Sequence, residues 1–387
     1  MVFPYQSLVN VTTMLQTKHG VCLFSGTFSA NMLKRAFCRT TSLLGVILGS
    51  ALSTFSFAAS TEFRISSAEA LATATRTVKP GDTIVMTDGV WRDAPLAFRA
   101  EGKAGKPIVL KAATPGKVVL TGNSWLRMAG SYLVVQDLVF QACTSDHDVV
   151  AFHIDPRESA ATVKKSWALT LKAQHCRLQN CALYDCDPAD LNLPKNWIAL
   201  YGVDNQVDHC LLQGKAGAGP ALSIYLSGEQ GGHHVMGNRF TNIGGAQTNS
   251  DAVLRVGVGD RADLDGSVTV ESNFFESCQS GNVLLANFAA HNNYLNNFFY
   301  KCKGVMDLSV GEHCTARSNV FVSDNSFLNS IITGQITQEL QDNTFSQTAN
   351  NPGKAEVATS SGPAWISHPV PDHRTQHGLS REREVAE

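Results

Sequence analysis

The sequence has no excess of charge of either sign. Its 387 residues include 31 Lys and Arg against 33 Asp and Glu, which gives a formal net charge of −2. Proteins that bind nucleic acid usually carry a strong basic patch, so the composition predicts no nucleic-acid partner. An acidic polymer would need a basic groove formed locally by the fold.

No apolar run near the N-terminus reaches the roughly 20 residues of a membrane-spanning helix. The stretch from Leu43 to Phe57 is shorter and follows basic residues between positions 34 and 39, and the small residues Ser56 and Ala58 at its end suit the −3 and −1 positions of a cleavage site. This pattern predicts a secretory signal peptide that begins at Met32, and therefore an exported protein, periplasmic or secreted. We treat residues 1–59 as an upstream extension plus this signal; a membrane anchor is the less favoured alternative, and no membrane partner is expected after signal removal.

Several familiar catalytic and metal-binding motifs are missing. The ten cysteines show neither the CxxC spacing of a zinc site nor that of a small disulfide scaffold. No phosphate-binding loop, HExxH motif or Ser-His-Asp order is present. The stretch "DRADLDG" (260–266) holds three acidic residues, but their spacing differs from that of an EF-hand, and an ordinary solvated loop is the favoured interpretation.

What the chain does contain is a repeated asparagine, followed two residues later by an apolar side chain. Asn238, Asn273, Asn297, Asn319 and Asn343 show the pattern, and Asn180 and His209 are predicted to occupy the same position in earlier repeats. The steps between them are 29, 29, 35, 24, 22 and 24 residues. A period in the twenties with variable insertions indicates a solenoid.

The segments between these asparagines predict strands, since they are short, rich in β-branched and aromatic residues, and bounded by Gly, Asn or Ser. One set of strands per stacked coil makes an all-β fold, a parallel β-helix. Equivalent residues of successive coils then lie about 4.8 Å apart. Inward asparagines at the turns can therefore form a ladder of side-chain hydrogen bonds. Cysteines follow the same register, either as disulfides or, the favoured interpretation, as small buried hydrophobes.

The ends of the solenoid are also predicted from local patterns. Ser66 and Glu69 have the spacing of a capping box before an Ala-rich run, which predicts a short N-terminal capping helix that ends near Pro80 and Gly81. After about residue 350 the repeat stops. We therefore expect the β-helix domain to span 60–350 and the polar segment 351–387 to be a disordered tail.

Four stretches in order, "VKPGDTIVMTDGVWRD", "GKAGKPIVLKAATPGKVVLTG", "NWIALYGVDNQVDHCLLQGKAGAGPALSIYL" and "NSDAVLRVGVGD", resemble polysaccharide lyase family 6. That family includes alginate lyases and chondroitinase B. The resemblance covers about residues 62 to 330. It implies a single-stranded, right-handed parallel β-helix of the pectin-lyase-like type. It also implies β-elimination on an acidic uronate polysaccharide, with alginate (polymannuronate and polyguluronate) favoured.

The resemblance also places the family's site residues on this chain. β-Elimination needs a neutralised carboxylate, a base for the C5 proton and an acid for the leaving oxygen. In the family, calcium bound by one asparagine and two glutamates neutralises the carboxylate, a lysine is the base and an arginine is the acid. The asparagine falls on Asn249 and a further arginine on Arg255, whereas the two glutamates fall on Gly281 and Val283.

The base and the acid do not match. The lysine falls on Phe288 in "LANFAAHN", and the arginine falls on Ser309 in "MDLSVGEH". Phenylalanine cannot accept a proton, and calcium needs more oxygen ligands than Asn249 offers, so no calcium cofactor is expected. Three interpretations stay open: a lyase with a rearranged site, a degenerate β-helix that binds acidic polysaccharide without cleaving it, and a truncated gene product.

Other side chains are candidates for a reworked groove, because His and Lys can act as bases and Arg and Lys can neutralise a carboxylate. They are Arg255, Lys215, His233, His234, Tyr201 and His313, with His291, Lys301, Lys303, Asp307 and Glu312 close in sequence to the lost pair. Each has a structural alternative. An ion pair is the rival role for Arg255, a turn position for the histidines, and a core aromatic for Tyr201; Lys301 and Lys303 are expected to face solvent.

Overall fold

The computed structural model describes residues 13–17, 20–24, 60–154, 171–226, 231–244, 252–257, 264–323, 329–334, 337–347, 354–359 and 364–369. The chain divides into two compact units, Met1–Ala58 and Ala59–Glu387. In the first unit, β1 (Thr13–Thr17) pairs antiparallel with β2 (Gly20–Phe24). The predicted signal peptide from Met32 lies outside the described residues.

The second unit is built from stacked coils that contribute short strands to three sheets. The first sheet has 11 strands, the second 10 and the third 13. The first sheet consists, in order, of β3 (Glu62–Ile65), β4 (Thr83–Met86), β7 (Ile108–Ala112), β10 (Leu133–Gln136), β15 (Arg177–Gln179), β18 (Gln206–Asp208), β21 (His234–Met236), β24 (Thr269–Glu271), β27 (Asn293–Leu295), β30 (Thr315–Arg317) and β33 (Glu339–Gln341).

The second sheet follows the first in each coil. It consists of β5 (Gly89–Arg92), β8 (Val118–Gly122), β11 (Leu138–Cys143), β16 (Ala182–Tyr184), β19 (Leu211–Gln213), β22 (Arg239–Thr241), β25 (Phe274–Glu276), β28 (Phe298–Tyr300), β31 (Val320–Ser323) and β34 (Thr344–Gln347).

The third sheet completes each coil. Its parallel strands are β6 (Pro95–Glu101), β9 (Trp125–Ser131), β12 (Val150–Ala151), β17 (Ile198–Leu200), β20 (Leu222–Ile224), β23 (Leu254–Val256), β26 (Val283–Asn287), β29 (Val305–Leu308), β32 (Ser330–Thr333) and β35 (Lys354–Thr359). β14 (Leu171–Gln174) joins this sheet alongside β9, and two strands pair antiparallel at its margins, β13 (His153–Ile154) with β14 and β36 (Ala364–Pro369) with β35.

Neighbouring coils pair parallel and in register, for example Leu212 with Phe240 and Phe240 with Phe275. This confirms the predicted right-handed parallel β-helix. The inner positions form one continuous apolar core. Its clearest element is a stack of five phenylalanine rings in the second sheet, whose centroids lie between 4.4 and 4.8 Å apart. The stacked rings belong to Phe240, Phe275, Phe299, Phe321 and Phe345.

The predicted asparagine ladder is present between the first and second sheets. In all but the last residue, Nδ2 donates to the Oδ1 of the next asparagine at 3.0 Å and to a main-chain carbonyl of the preceding coil, so both amide hydrogens are used; the Nδ2 of Asn343 donates to the Ala316 carbonyl at 2.8 Å. The ladder runs through Asn238, Asn273, Asn297, Asn319 and Asn343, all at most 5% exposed. Because every buried amide finds partners, the cost of burying it is avoided.

Asn180 and His209 do not belong to this ladder, which corrects the sequence prediction. Each lies one residue earlier, at a turn position with a left-handed backbone (φ 49° and 53°). The ladder position in those coils is occupied by Cys181 and by Cys210, whose N–H donates to Asn238 Oδ1 at 2.9 Å. All eight described cysteines are buried free thiols, as the favoured interpretation expected.

A short helix, α1 (Ala68–Ala74), lies against the first coils, with Leu71 and Ala74 buried in the core near β3 and β6. Its N-cap is Ser67 rather than Ser66, since the Oγ of Ser67 accepts the N–H of Ala70 at 3.2 Å. The helix ends earlier than predicted. Threonine hydroxyls at positions 75 and 77 bond the last helical carbonyls and close the turn before Pro80 is reached.

β35 and β36 fall within the segment 351–387 that the sequence analysis set apart as a polar tail, and the extent of that tail stays a prediction. Within the described part of the chain, no helix combines the length and apolarity needed to cross a bilayer.

Candidate functional site

A single row of residues follows the strand ends of the third sheet, one per coil. Each member lies two positions after one of the paired residues Ala151, Ala199, Ser223, Arg255, Ala286 and Asp307. We call it the strand-end row, and it consists of His153, Tyr201, Tyr225, Gly257, Phe288 and Ser309. Phe288 and Ser309, which the sequence resemblance assigns to the family's base and acid, therefore lie in adjacent coils of one row.

Three aromatic rings stack at one end of the strand-end row. His153 and Tyr201 have ring centroids 4.1 Å apart with planes at 6°, and Tyr201 and Tyr225 have centroids 4.5 Å apart with planes at 2°. The coil spacing of a β-helix is close to the distance of stacked rings, so the fold itself sets this arrangement. Burial, followed by the neighbouring Tyr225 and Asp148, raises the pKa of the Tyr201 hydroxyl well above its usual range, so this phenol keeps its proton.

Arg255 lies beside the stack. It occupies the middle of β23, where Leu254 and Val256 point into the core and Arg255 is half-buried on the opposite face. Its Nη2 donates to the Tyr225 Oη at 3.3 Å, and its guanidinium lies 5.8 Å from the centre of the Tyr225 ring. The outer face of the third sheet thus carries a cation next to flat aromatic surface.

A buried polar network supports the Tyr225 hydroxyl from the other side. Asn196 Nδ2 donates to Tyr225 Oη at 3.0 Å. Asp148 Oδ1 accepts hydrogen bonds from both the main-chain N–H and the Nδ2 of Asn196, at 2.9 and 3.1 Å. The Ser223 hydroxyl donates to Asn196 Oδ1 at 2.7 Å. These contacts fix which end of the amide faces Tyr225.

Phe288 is half-buried at its position in the strand-end row. Its N–H donates to the Val256 carbonyl at 2.8 Å, so its backbone is held in the coil register. Ser309 follows β29, and its N–H donates to Asp307 Oδ1 at 2.9 Å. The row therefore presents an apolar ring and a hydroxyl in adjacent coils, at the two positions that the sequence resemblance assigns to the family's base and acid.

Comparison with known proteins decides the family. A family model described as Chondroitinase B matches residues 65–364, more than half of the chain. The chain belongs to polysaccharide lyase family 6, the family of chondroitinase B.

Solved structures of family 6 lyases share the fold of this chain. The family 6 alginate lyase AlyGC is 26% identical, with a TM-score of 0.60 over 73% of this chain and 40% of that chain. A mannuronic acid specific family 6 lyase from human gut microbiota is 24% identical, with a TM-score of 0.59 over 70% of this chain and 67% of that one. The family 6 lyase Pedsa3628 from Pseudopedobacter saltans is 21% identical, with a TM-score of 0.59 over 73% and 62%. No curated protein matches the chain.

The donor set does not fit the calcium ion of family 6. Gly281 has no side chain and Val283, the first residue of β26, has no oxygen in its side chain. Asn249 lies outside the described residues. Among the described residues, no group of three or more His, Cys, Asp or Glu side chains is placed to hold a metal ion.

Lys215, predicted to face the groove, lies in the interior instead and is only 2% exposed. Its Nζ forms an ion pair with Asp187 Oδ1 at 3.2 Å and donates to the carbonyls of Gly217 and Ala218 at 3.0 and 3.1 Å. The loop between β19 and β20 folds back over this ammonium. A side chain enclosed in this way cannot contact a polymer on the outer face.

The two adjacent histidines separate. His233 is fully buried, its Nδ1 accepts the N–H of Asn205 at 3.2 Å, and burial lowers its pKa to about 4, so the ring is neutral near pH 7. His234 is exposed, but it is the first residue of β21 and therefore lies on the first sheet, not on the third sheet with Arg255. Neither histidine joins Arg255.

His313 also lies away from the strand-end row. It is an exposed turn residue with φ 53°, its ring stacks on that of His291 at 5.4 Å, and both turns lead into the first sheet. Lys301 and Lys303 are exposed, as expected. Two of the candidates, Tyr201 and Arg255, both contact Tyr225, and Asp307 lies two coils away in the Arg255 row.

Sequence reasoning missed Tyr225, Asn196 and His153. A signal for Tyr225 was present, because "IALY" and "LSIY" each place a tyrosine after an apolar strand, 24 residues apart. That distance equals the length of one coil of this chain, so the two tyrosines could have been predicted to lie side by side in neighbouring coils.

Proposed function

We propose that this family 6 protein binds uronate polysaccharide along the outer face of its third sheet, with alginate as the polymer. The observation that carries the proposal is the Arg255 guanidinium beside the stacked rings of Tyr225, Tyr201 and His153. A guanidinium pairs with a carboxylate through two parallel hydrogen bonds. Flat aromatic faces suit the apolar faces of sugar rings.

The location supports the same interpretation. The rings and Arg255 lie in the strand-end row and in the row beside it, next to the positions that match the base and acid of family 6. A polymer crossing successive coils on this face would meet one side chain of the row about every 4.8 Å. The predicted signal peptide, which would take the protein to where such polymers occur, fits this role and remains an expectation.

β-Elimination is the chemistry of family 6, and this chain needs another base to perform it, because the ring of Phe288 has no lone pair to accept a proton. A second candidate function is therefore binding without cleavage. Phe288 and Ser309 are the observations that favour it.

Binding is tested directly with purified chain and four polymers: polymannuronate, polyguluronate, mixed alginate and chondroitin sulfate. Isothermal titration calorimetry is expected to show binding to at least one alginate polymer. Arg255→Gln is expected to weaken it about tenfold or more, since a charge-assisted hydrogen bond contributes about 1.5–3 kcal/mol.

Arg317→Gln is the matched control, because Arg317 is an exposed arginine on β30 of the first sheet. It is expected to leave the affinity unchanged apart from a small general charge effect. Equal weakening by both substitutions would remove the third sheet as the binding face. Failure of the unmodified chain to bind any of the polymers would overturn the proposed function.

A further inference from the structure

The hydroxyl of Tyr225 has an environment that binding alone does not require. Its oxygen accepts one hydrogen bond from the neutral amide of Asn196 at 3.0 Å and another from the cationic Arg255 at 3.3 Å. Both donors therefore point at the atom that would carry negative charge once the hydroxyl proton leaves. Donors fixed in advance around a developing charge are the usual means by which a protein site stabilises it.

The donors cannot easily turn away. Asn196 is 8% exposed and is held by Asp148 and by the fully buried Ser223. The Tyr225 ring lies parallel to that of Tyr201, which limits its rotation. Rigid support of this kind is expected around a reacting group and is unnecessary for a tyrosine that only provides apolar surface.

The position along the fold is also suitable. Tyr225 lies in the strand-end row, separated from Phe288 only by Gly257, which adds no side chain. A uronate whose carboxylate pairs with Arg255 would thus lie over Tyr225 rather than over Phe288. No described lysine or histidine side chain other than His153 shares this row.

We propose that Tyr225 transfers the proton in a β-elimination performed by this chain, in place of the lysine and arginine of family 6, with Arg255 neutralising the substrate carboxylate. The proposal rests on the proposed function, namely that uronate polymer lies on this face.

The step balances without any further reagent. Ionised Tyr225 removes the proton from C5 of the uronate, the C5–H electron pair forms the C4–C5 double bond, and the bond from C4 to the glycosidic oxygen breaks. The departing oxygen takes that bond's electrons and receives the proton back from the Tyr225 hydroxyl. The products are an unsaturated uronate end and a new free sugar end, and Tyr225 returns to its ionised form.

A single group that removes and returns the proton works on one face of the sugar. In mannuronate the C5 hydrogen and the C4 oxygen lie on the same side of the ring, whereas in guluronate they lie on opposite sides. We therefore expect cleavage of polymannuronate, and binding of polyguluronate without cleavage.

The test measures turnover and binding separately on the same samples. Unsaturated product is followed by its ultraviolet absorbance with polymannuronate as substrate, and affinity is measured by calorimetry. Tyr225→Phe keeps the ring and removes only the hydroxyl, and it is expected to lower kcat at least about 100-fold while affinity changes less than about threefold. Tyr184→Phe makes the same change on β16 of the second sheet and is expected to leave both unchanged.

The outcomes distinguish the two proposals. Absence of binding by the unmodified chain would overturn the proposed function. Binding without unsaturated product would leave that function standing and overturn the role of Tyr225. Product formation that survives Tyr225→Phe, or a loss of turnover explained by an equal loss of affinity, would also overturn it.

Discussion

Asn273 and Asn297 are joined through two hydrogen bonds to one oxygen. The Nδ2 of Asn273 donates to Asn297 Oδ1 at 3.0 Å, and the main-chain N–H of Asn273 donates to the same atom at 3.1 Å. Asn297 in turn donates to Asn319 Oδ1 and to the Val270 carbonyl, at 3.0 and 2.9 Å. One side chain thus satisfies buried groups in the coils on both sides.

Replacing Asn297 by alanine is therefore expected to cost far more than an ordinary polar substitution. It removes the acceptor of two Asn273 donors, the main-chain N–H and Nδ2, and the side-chain donor to the Val270 carbonyl, whereas Asn319 Oδ1 keeps the main-chain N–H of residue 297. Each buried group left without a partner costs about 1–3 kcal/mol. We expect Asn297→Ala to lower the free energy of unfolding by at least about 3 kcal/mol, measured by urea denaturation.

Asn296→Ser is the neighbouring control. Asn296 is an exposed turn residue with φ 56°, and serine occupies the equivalent turn position at Ser272 and Ser318 with φ 54° and 55°. This substitution is expected to change stability by less than about 0.5 kcal/mol. A similar loss for both variants would mean that the ladder does not stabilise the stack.

The ladder shows why the fold was predictable from sequence. A polar side chain at a buried turn of a stacked coil needs hydrogen-bond partners, and asparagine finds them in the asparagine of the next coil. The spacing of Asn273, Asn297 and Asn319 therefore carries the architecture. The same reasoning misplaced Asn180 and His209 by one residue, because asparagine and histidine also suit the adjacent left-handed turn position, where Asn296 and His209 have φ 56° and 53°.

The site was less predictable, because its parts come from different coils. Lys215 is paired with Asp187 from 28 residues earlier, and nothing in the local sequence shows that the loop folds inward over it. Tyr225 gains its meaning from Asn196 and Arg255, 29 and 30 residues away. Strand alternation predicted correctly that Arg255 faces outward, since that depends only on its immediate neighbours.

Burial of His233 gives a pH dependence of stability. Its pKa is about 4 in the folded protein, below the 6.5 of an unperturbed histidine, because burial disfavours the charged ring. The unfolded chain therefore binds a proton that the folded chain does not. The contribution of neutral, buried His233 to the free energy of unfolding is fully present above pH about 6.5. It is lost progressively as the pH falls toward 4, by about 3 kcal/mol in total.

We expect His233→Gln to flatten the decline of unfolding free energy between pH 6.5 and 4, measured by urea denaturation at several pH values. His234→Gln serves as the control, since His234 is the exposed neighbour, and it is expected to keep the slope of the unmodified chain. An unchanged slope in His233→Gln would contradict a neutral, buried imidazole.

The buried thiols are expected to resist alkylation. Burial raises the pKa of Cys176 to about 12, and it also raises the pKa of Cys181, Cys186 and Cys278. The thiolate is the reactive form, so these residues should react with iodoacetamide only after unfolding.

The protein is alkylated without reductant, in the presence or absence of denaturant, and mass spectrometry of its peptides shows which cysteines have reacted. If these cysteines are labelled when denaturant is present and not when it is absent, they are free thiols in solution. Resistance that persists in denaturant and disappears with reductant would show disulfides between stacked coils, the alternative interpretation of their register.

Restoring the family residues tests the assignment of Phe288 and Ser309. Phe288→Lys and Ser309→Arg return the base and acid, and Gly281→Glu and Val283→Glu return the calcium ligands. Glutamate at Gly281 adopts φ 54° at a cost of about 1–2 kcal/mol, which the fold is expected to tolerate. The four substitutions are made together in a Tyr225→Phe background, so that new activity cannot come from the tyrosine.

With calcium added, this variant is expected to release unsaturated uronate from alginate, because lysine and arginine would then occupy adjacent coils of the strand-end row. A matched variant that carries Phe288→Met and Ser309→Ala with the two glutamates keeps the calcium ligands and lacks proton transfer, and it is expected to stay inactive. Calcium-dependent activity in both variants would show that the proton moves through other side chains. A folded, polymer-binding variant with all four family residues and no product would show that Phe288 and Ser309 are not the positions of the family's base and acid.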